Sequence, residues 1–273
     1  KEVIASIPVF SVFITLLETP AMSEIDTAKT MQYQIQRYIP LPAEEVAIEW
    51  LKVGEREEER GGKKQQVLLV LTPKEHLQRY RNIFKMAGLE LKFLEIESFS
   101  LARLLVGSDP QPTLIADIGA LYTNLAIIDN GFLKYNVQTD FAGSSLTQAI
   151  ARGMNINARR AEEIKKQAGV LAGTEGQELS TLSYPFLDAI IGEIGRVRNV
   201  YERDYNGKVE RIILAGGGAN FPGIEKYFNE KTGLPTAIAD SFSKINYPPD
   251  IEPFIKELGP LLAVAVGLAL KEE

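Results

Sequence analysis

Two short glycine-marked segments, separated by about a hundred residues, constrain this chain more than any other feature. They are Leu114-Ile115-Ala116-Asp117-Ile118-Gly119-Ala120 and Ile212-Ile213-Leu214-Ala215-Gly216-Gly217-Gly218-Ala219-Asn220. Each reads as a buried strand ending in a turn stripped of side chains, where main chain can lie against a ligand. After the first turn a second apolar strand, residues 124–129, stops at Asn130-Gly131, a strong hairpin signal. After the second turn the pattern predicts a helix over residues 221–231, whose unpaired N–H groups and dipole would face the glycines and hold an anion.

The 273 residues are 45% hydrophobic and 24% charged, enough for a folded chain with two compact units and not the composition of disorder or a membrane-embedded body. A net charge of −6 argues against a non-specific nucleic-acid binder, which needs a basic surface. With no cysteine and one histidine, zinc sites and thiol catalysis are nearly excluded, and Ser/His/Asp hydrolysis survives only with His76 as base. His76 follows Thr72-Pro73-Lys74-Glu75 and reads as a solvated residue in the first turn of a helix. The apolar stretch 3–17 contains Pro8, Ser11 and Thr15 and reads as a strand rather than a signal peptide; 258–270 is too short to span a bilayer and reads as a buried helix packed on a sheet. The start at Lys1, in the run-in to a strand, is the pattern expected of a piece of a longer polypeptide.

The first hundred residues predict a small sheet with helices on one face. A strand over 9–17 leads to a helix opened by the capping pair Ser23 and Asp26, with Met31, Ile35 and Tyr38 at apolar positions and Pro40-Leu41-Pro42 as its stop. A strand through Val46, Ile48 and Trp50, a charged loop over 55–64 and a strand over 67–71 follow. Thr72 as cap, Pro73 in the first helical position and Glu75 as box partner open a second helix, which Gly88 closes before a strand over 89–97.

From Thr113 the turns become functional in character. Gly143-Ser144-Ser145 precedes a helix over 146–152, and Asn157 caps the next, which includes Glu162 and Lys165. A glycine-rich loop over 169–176 and a long helix over 183–205 follow, in spite of Gly192 and Gly195, which each weaken a lone helix by roughly 1 kcal/mol and so require tertiary packing to hold it. Asn206-Gly207 ends that helix and feeds a strand over 211–215.

Asp117 at a strand end can hold magnesium through water, while the exposed N–H groups after Gly119, that of Ala120 first, contact phosphate oxygens; Thr123 and Asn124 add donors near the same edge. The same residues also suit a plain hairpin in which Asp117 makes turn hydrogen bonds. Glu162 and Lys165, at i and i+3, share a helix face and can meet one ligand, the carboxylate accepting sugar hydroxyls and the ammonium lying along base or phosphate; alone they also suit an exposed ion pair. Taken in order, an acidic strand end, a polar helix pair and the Gly216-Gly217-Gly218 turn are successive walls of one cleft.

That order resembles the actin-like ATPase superfamily, and Pro20-Ala21-Met22-Ser23-Glu24, Gln36-Arg37-Tyr38-Ile39-Pro40-Leu41-Pro42, Glu97-Ser98-Phe99-Ser100-Leu101-Ala102-Arg103 and Leu146-Thr147-Gln148-Ala149-Ile150-Ala151 carry a narrower resemblance within it, over essentially the whole chain. Within it the chain is most similar to the PilM family of type IV pilus assembly proteins, with FtsA-like proteins next. The resemblance implies an α/β fold of two actin-like (ribonuclease H-like) lobes with an inserted small α+β subdomain. Residues 1–97 would be that subdomain with a remnant of the first lobe, 98–112 a first-lobe helix and connection, 113–256 the second lobe with a helical subdomain at about 157–205, and 257–273 a helix returning to the first lobe. The family's opening Asp-x-Gly phosphate hairpin has no counterpart in these residues.

By the same resemblance the site comprises Asp117, Gly119, Ala120, Thr123, Asn124, Glu162, Lys165, Gly216, Gly217, Gly218 and Asn220, with ATP and magnesium as ligands and Asp117 on the metal. The implied function is a cytoplasmic scaffold at the inner membrane that grips the cytoplasmic tail of a PilN-like membrane protein, works with other pilus assembly components, and forms a homo-oligomer or ring. Hydrolysis is expected to be slow at most, because no strong general base stands near Asp117 in the sequence. The competing expectations are an FtsA-like division or type II secretion scaffold, a small-molecule kinase on the same fold, and a nucleotide-free interaction module.

Overall fold

Pro8 splits the first apolar stretch. Its ring holds φ at −61° and it has no N–H for a ladder, so the strand ends at Ile7, Val9–Ser11 forms a 3-10 turn, and the chain re-enters strand in a different sheet. The computed structural model describes residues 1–34, 42–57, 62–169, 177–205 and 207–271. The chain divides into two units, Lys1–Glu97 with Phe132–Tyr135, and Ser98–Gly131 with Asn136–Glu273.

The first unit runs β1 (Glu2–Ile7), β2 (Phe13–Pro20), α1 (Glu24–Gln34), β3 (Val46–Glu57), β4 (Lys63–Pro73), α2 (Lys74–Met86) and β5 (Glu90–Ile96). β1 pairs in parallel with β5, whereas β2, β4 and β3 form an antiparallel sheet in that order. Ser23 caps α1 as its spacing predicts, its Oγ accepting from the Asp26 N–H at 3.2 Å and donating to Asp26 Oδ2 at 2.7 Å. The helix drops Met31 onto Leu17, Val46, Val67, Leu69 and Leu71, with Ile48 and Trp50 packed at the margin. Ile35, Tyr38 and the Pro40-Leu41 stop lie outside the described residues.

Three local expectations give way to tertiary structure here. The charged 55–64 stretch is ladder for most of its described length, paired out to Glu57↔Lys63 after a bulge between Lys52 and Gly54. Thr72 is buried inside β4 opposite Ala47, so Pro73 takes the cap position without a side-chain bond and the capping box does not form. His76 is half-buried, and its Nδ1 donates to the Ser11 carbonyl at 2.9 Å.

The second unit runs α3 (Glu97–Leu101) continuing as a π-helical turn over Ala102–Val106, β6 (Thr113–Ile118), β7 (Thr123–Asp129), β8 (Phe132–Thr139, which belongs to this unit from Asn136 onward), α4 (Gly143–Gly153), α5 (Ala158–Ala168), α6 (Gln177–Tyr205), β9 (Arg211–Ala215), a 3-10 turn at Gly217–Asn220, α7 (Ile224–Thr232), β10 (Thr236–Ile238), a 3-10 segment at Pro249–Phe254 and α8 (Ile255–Ala269). Its sheet is ordered β10-β9-β6-β7-β8, with β6 parallel to β9 and antiparallel to β7. Almost every residue of β6 and β7 is buried, as their unbroken apolar runs demand. Asn130 (φ 51°) and Gly131 (φ 76°) make the left-handed hairpin turn that their sequence predicts.

α6 buries Leu187, Ile190, Ile194, Val197 and Tyr201, a stripe at alternating spacings of three and four. Gly192 and Gly195 lie off that stripe, with open space where a side chain would stand. α8, expected as a buried helix, is buried on one face through Gly259, Pro260, Ala263 and Gly267, while Leu261 and Leu262 are exposed. Small residues face inward because the approach is close: a Cβ on Gly267 would overlap the Ser100 carbonyl. The stretch 170–176 and Asn206 lie outside the described residues.

Candidate functional site

The pairing of β6 with β9 brings the two glycine turns together. Asp117 lies opposite Ala215 at the carboxyl ends of adjacent parallel strands, so both turns leave the same sheet edge. That edge is where open α/β sheets place their ligands. Gly216 is left-handed (φ 77°), and a Cβ there would overlap Asp117 Oδ1 and come within 2.6 Å of the Ile118 carbonyl. A Cβ on Gly218 would run into the Ile118 side chain. Both glycines are therefore required by contact with β6.

The first turn is braced from within. Gly119 N–H donates to the Tyr122 carbonyl at 3.0 Å, and the carbonyls of Gly119 and Ala120 accept from the Gly143 and Ser144 N–H groups at 2.9 and 2.8 Å. The start of α4 thus clips onto the turn, with Ala120 exposed at its tip. Thr123 is buried and donates to the Phe141 carbonyl at 2.6 Å. Asn124 is buried in a closed ring: its Nδ2 donates to Ser98 Oγ (2.8 Å), Ser98 donates to Asn136 Oδ1 (2.6 Å), and Asn136 Nδ2 donates back to Asn124 Oδ1. Both side chains are bonded inside the protein and act on the turn by fixing it.

α5 supplies the next wall. Asn157 caps it, accepting from the Arg160 N–H at 2.9 Å, and sets the register that points Glu162 and Lys165 the same way. Lys165 Nζ lies 2.6 Å from Glu162 Oε2, 2.9 Å from Thr147 Oγ1 and 3.1 Å from the Gly143 carbonyl. Partial burial alone would raise the Glu162 pKa, but the hydrogen bonds from Lys165 and Thr147 and the neighbouring ammonium charges outweigh it and hold the carboxyl below its ordinary 4.5. At its far end α5 stops at Gly169, where a Cβ would overlap Pro222, just beyond the second glycine turn.

That second turn is a 3-10 turn and not the start of a helix. α7 begins at Ile224 behind a left-handed Gly223 (φ 85°), so the expected helix over 221–231 and its dipole do not sit directly on the triplet. The turn is tied instead to α8: the Gly216 N–H donates to the Pro260 carbonyl at 2.9 Å and Asn220 Nδ2 to the Glu257 carbonyl at 2.8 Å. Gly217 is exposed. The structure thus gathers Asp117, Gly119, Ala120, Glu162, Lys165 and Gly216 to Gly218 around one sheet edge, and adds two positions that sequence reasoning did not single out, Gly143 and Thr147. Their signal was present: they stand four apart at the start of α4, on one helix face.

A mixed sheet ordered β10-β9-β6-β7-β8, with a braced acidic hairpin and a glycine turn at one edge, defines the actin-like ATPase fold. Solved structures of that class share it: MreB5 of Spiroplasma citri bound to ADP is 23% identical with a TM-score of 0.54, the matched region covering 71% of this chain and 63% of that one. The MamK double helical filament is 17% identical with a TM-score of 0.53, covering 70% and 63%. A family model described as "Type IV pilus assembly protein PilM" matches residues 2–273, and the chain belongs to that family. The fold agrees with a chain of the PilM-PilN type IV pilus biogenesis complex at a TM-score of 0.82 and 24% identity, over 98% of this chain and 79% of that one.

Proposed function

We propose that the protein is an ATP-binding, actin-like scaffold of type IV pilus assembly that grips the cytoplasmic tail of a PilN-like inner-membrane protein. The observation that carries the nucleotide half is the convergence of the Asp117–Ala120 and Gly216–Gly218 turns with the Glu162–Lys165 pair beside them. Ala120 and Gly217 leave main chain exposed at the tips of the two turns, where phosphates would approach, and Lys165 brings a cation. Magnesium keeps several of its waters when phosphate oxygens bind it, so Asp117 suits a carboxylate that holds the ion through one of those waters. Turnover is slow at most. Membership of the PilM family and likeness to a chain solved with PilN support the partner half. No helix among the described residues is long and apolar enough to cross a membrane, and the scaffold sits in the cytoplasm, held at the inner membrane through its partner, with further pilus components and copies of itself in a ring.

Calorimetry tests the nucleotide half. The wild-type chain binds ATP with magnesium, and Asp117→Ala weakens that binding about 10- to 100-fold, the usual cost of losing an outer-shell metal partner. Equal affinities for the two proteins would overturn the metal role, and no binding by the wild type would overturn the nucleotide reading. A peptide of the PilN-like tail binds saturably under the scaffold reading, and its failure to bind would remove that half alone.

A further inference from the structure

Thr147 holds a place that no site expectation gave it. Its Oγ1 lies 2.5 Å from Glu162 Oε2, 2.9 Å from the Gly143 carbonyl and 2.9 Å from Lys165 Nζ. A hydroxyl has one proton, and Lys165 can only donate, so Thr147 accepts from Lys165 and sends its proton to a single oxygen. The nearer and charged partner, Glu162 Oε2, takes it. The Gly143 carbonyl is served by Lys165 Nζ at 3.1 Å.

The two oxygens of Glu162 are thereby made unequal. Oε2 receives Thr147 and, at 2.6 Å, Lys165. Oε1 meets the ammonium of Lys166 at 3.9 Å, beyond hydrogen-bond range, on a side chain that is 74% exposed. Burial follows the same division: Thr147 is 8% exposed and Lys165 side chain 15%, against 39% for Glu162. The carboxylate is pinned by its inner oxygen and presents the outer one. Because Gly143 also donates to the Gly119 carbonyl, the clamp that pins it is continuous with the first turn.

We propose that Thr147 is the positioning residue that makes Glu162 an acceptor for the sugar hydroxyls of the nucleotide. Resting on the nucleotide reading above, this assigns to Thr147 the discrimination between a ribose and a sugar lacking its diol. Without the Thr147 proton, Glu162 keeps Lys165 but loses the bond that fixes its rotation, and a diol must then order the carboxylate at its own expense.

Calorimetry of the full chain with magnesium and either ATP or 2′,3′-dideoxy-ATP tests this. The wild type prefers ATP by about tenfold, the low end for a single hydrogen bond to a charged group. Thr147→Val, close in shape, abolishes the preference by weakening ATP while leaving dideoxy-ATP unchanged, and Thr147→Ser restores it. Glu162→Gln removes the same preference by a route that leaves Thr147 in place, and it decides the matter where Thr147→Val fails to fold. An unchanged preference in Thr147→Val or in Glu162→Gln, equal weakening of both nucleotides by Thr147→Val, or no rescue by serine would overturn the proposal. A wild type that binds both nucleotides equally overturns it and spares the nucleotide reading; a wild type that binds neither overturns both.

Discussion

The glycines of the 216–218 turn and those of α6 look alike in the sequence and differ completely in what surrounds them. Gly216 and Gly218 have no room for a single added carbon, because Asp117 and Ile118 of the neighbouring strand occupy it. Gly192 and Gly195 face open space on a helix held by the opposite stripe from Leu187 to Tyr201. In the turn, glycine is the condition for two strands' ends to meet; in the helix it is a weakness that packing tolerates.

Four substitutions press on that contrast. Gly216→Ala has the largest expected effect, a loss of about 3 kcal/mol in urea unfolding, summing a left-handed backbone that disfavours a side chain and a collision with Asp117. A loss under 0.5 kcal/mol would put the two glycine groups in one class. Gly267→Ala should cost about 2 kcal/mol, since its Cβ lands on the Ser100 carbonyl rather than on a movable side chain. Gly192→Ala and Gly195→Ala go the other way, each raising stability by roughly 0.5–1 kcal/mol through helix propensity alone. A loss on either would reveal a contact on that helix face.

The smallest effect separates the regions by chemistry. Glu162 titrates below its ordinary 4.5, so its bonds add stability above that pH that is lost as pH falls through the lowered value. The difference between wild type and Glu162→Gln, a few tenths of a kcal/mol to about 1 kcal/mol for a partly buried pair, is therefore present at neutral pH and vanishes in acid. The gains from Gly192→Ala and Gly195→Ala do not change over that range. A wild-type advantage over Glu162→Gln that persisted well below pH 4 would show that the carboxylate is not what is being measured.

Wherever a signal was local, the sequence carried it. The Ser23 and Asn157 caps, the Asn130-Gly131 turn and the β6 and β9 runs need only neighbouring residues to be recognised, and the two glycine turns were legible as strand ends for the same reason. What escaped was set by distant partners. Thr72 has the spacing of a cap, but pairing with Ala47 keeps it in a strand. The apolar stretch before Leu17 alternates like one strand, yet Pro8 hands its halves to two sheets. In α8 hydrophobicity pointed to the leucines, while the close approach to Ser100 selects glycine and alanine. Thr147 shares a helix face with Gly143, but that spacing alone named no partner: a threonine in a helix is ordinary until a carboxylate and an ammonium from another helix meet it.

The neighbouring positions of Asp117 and Ala215 have a consequence for the order in which the molecule forms. They belong to strands that are adjacent in space but separated along the chain by two strands and three helices, so they pair only after a loop of about a hundred residues has closed. Long-range parallel pairing of this kind is slow and comes late in folding. A molecule that engages both turns at once therefore meets only chains that have finished folding, and its binding draws the population toward the completed state. The glycine edge thus reports that the fold is complete.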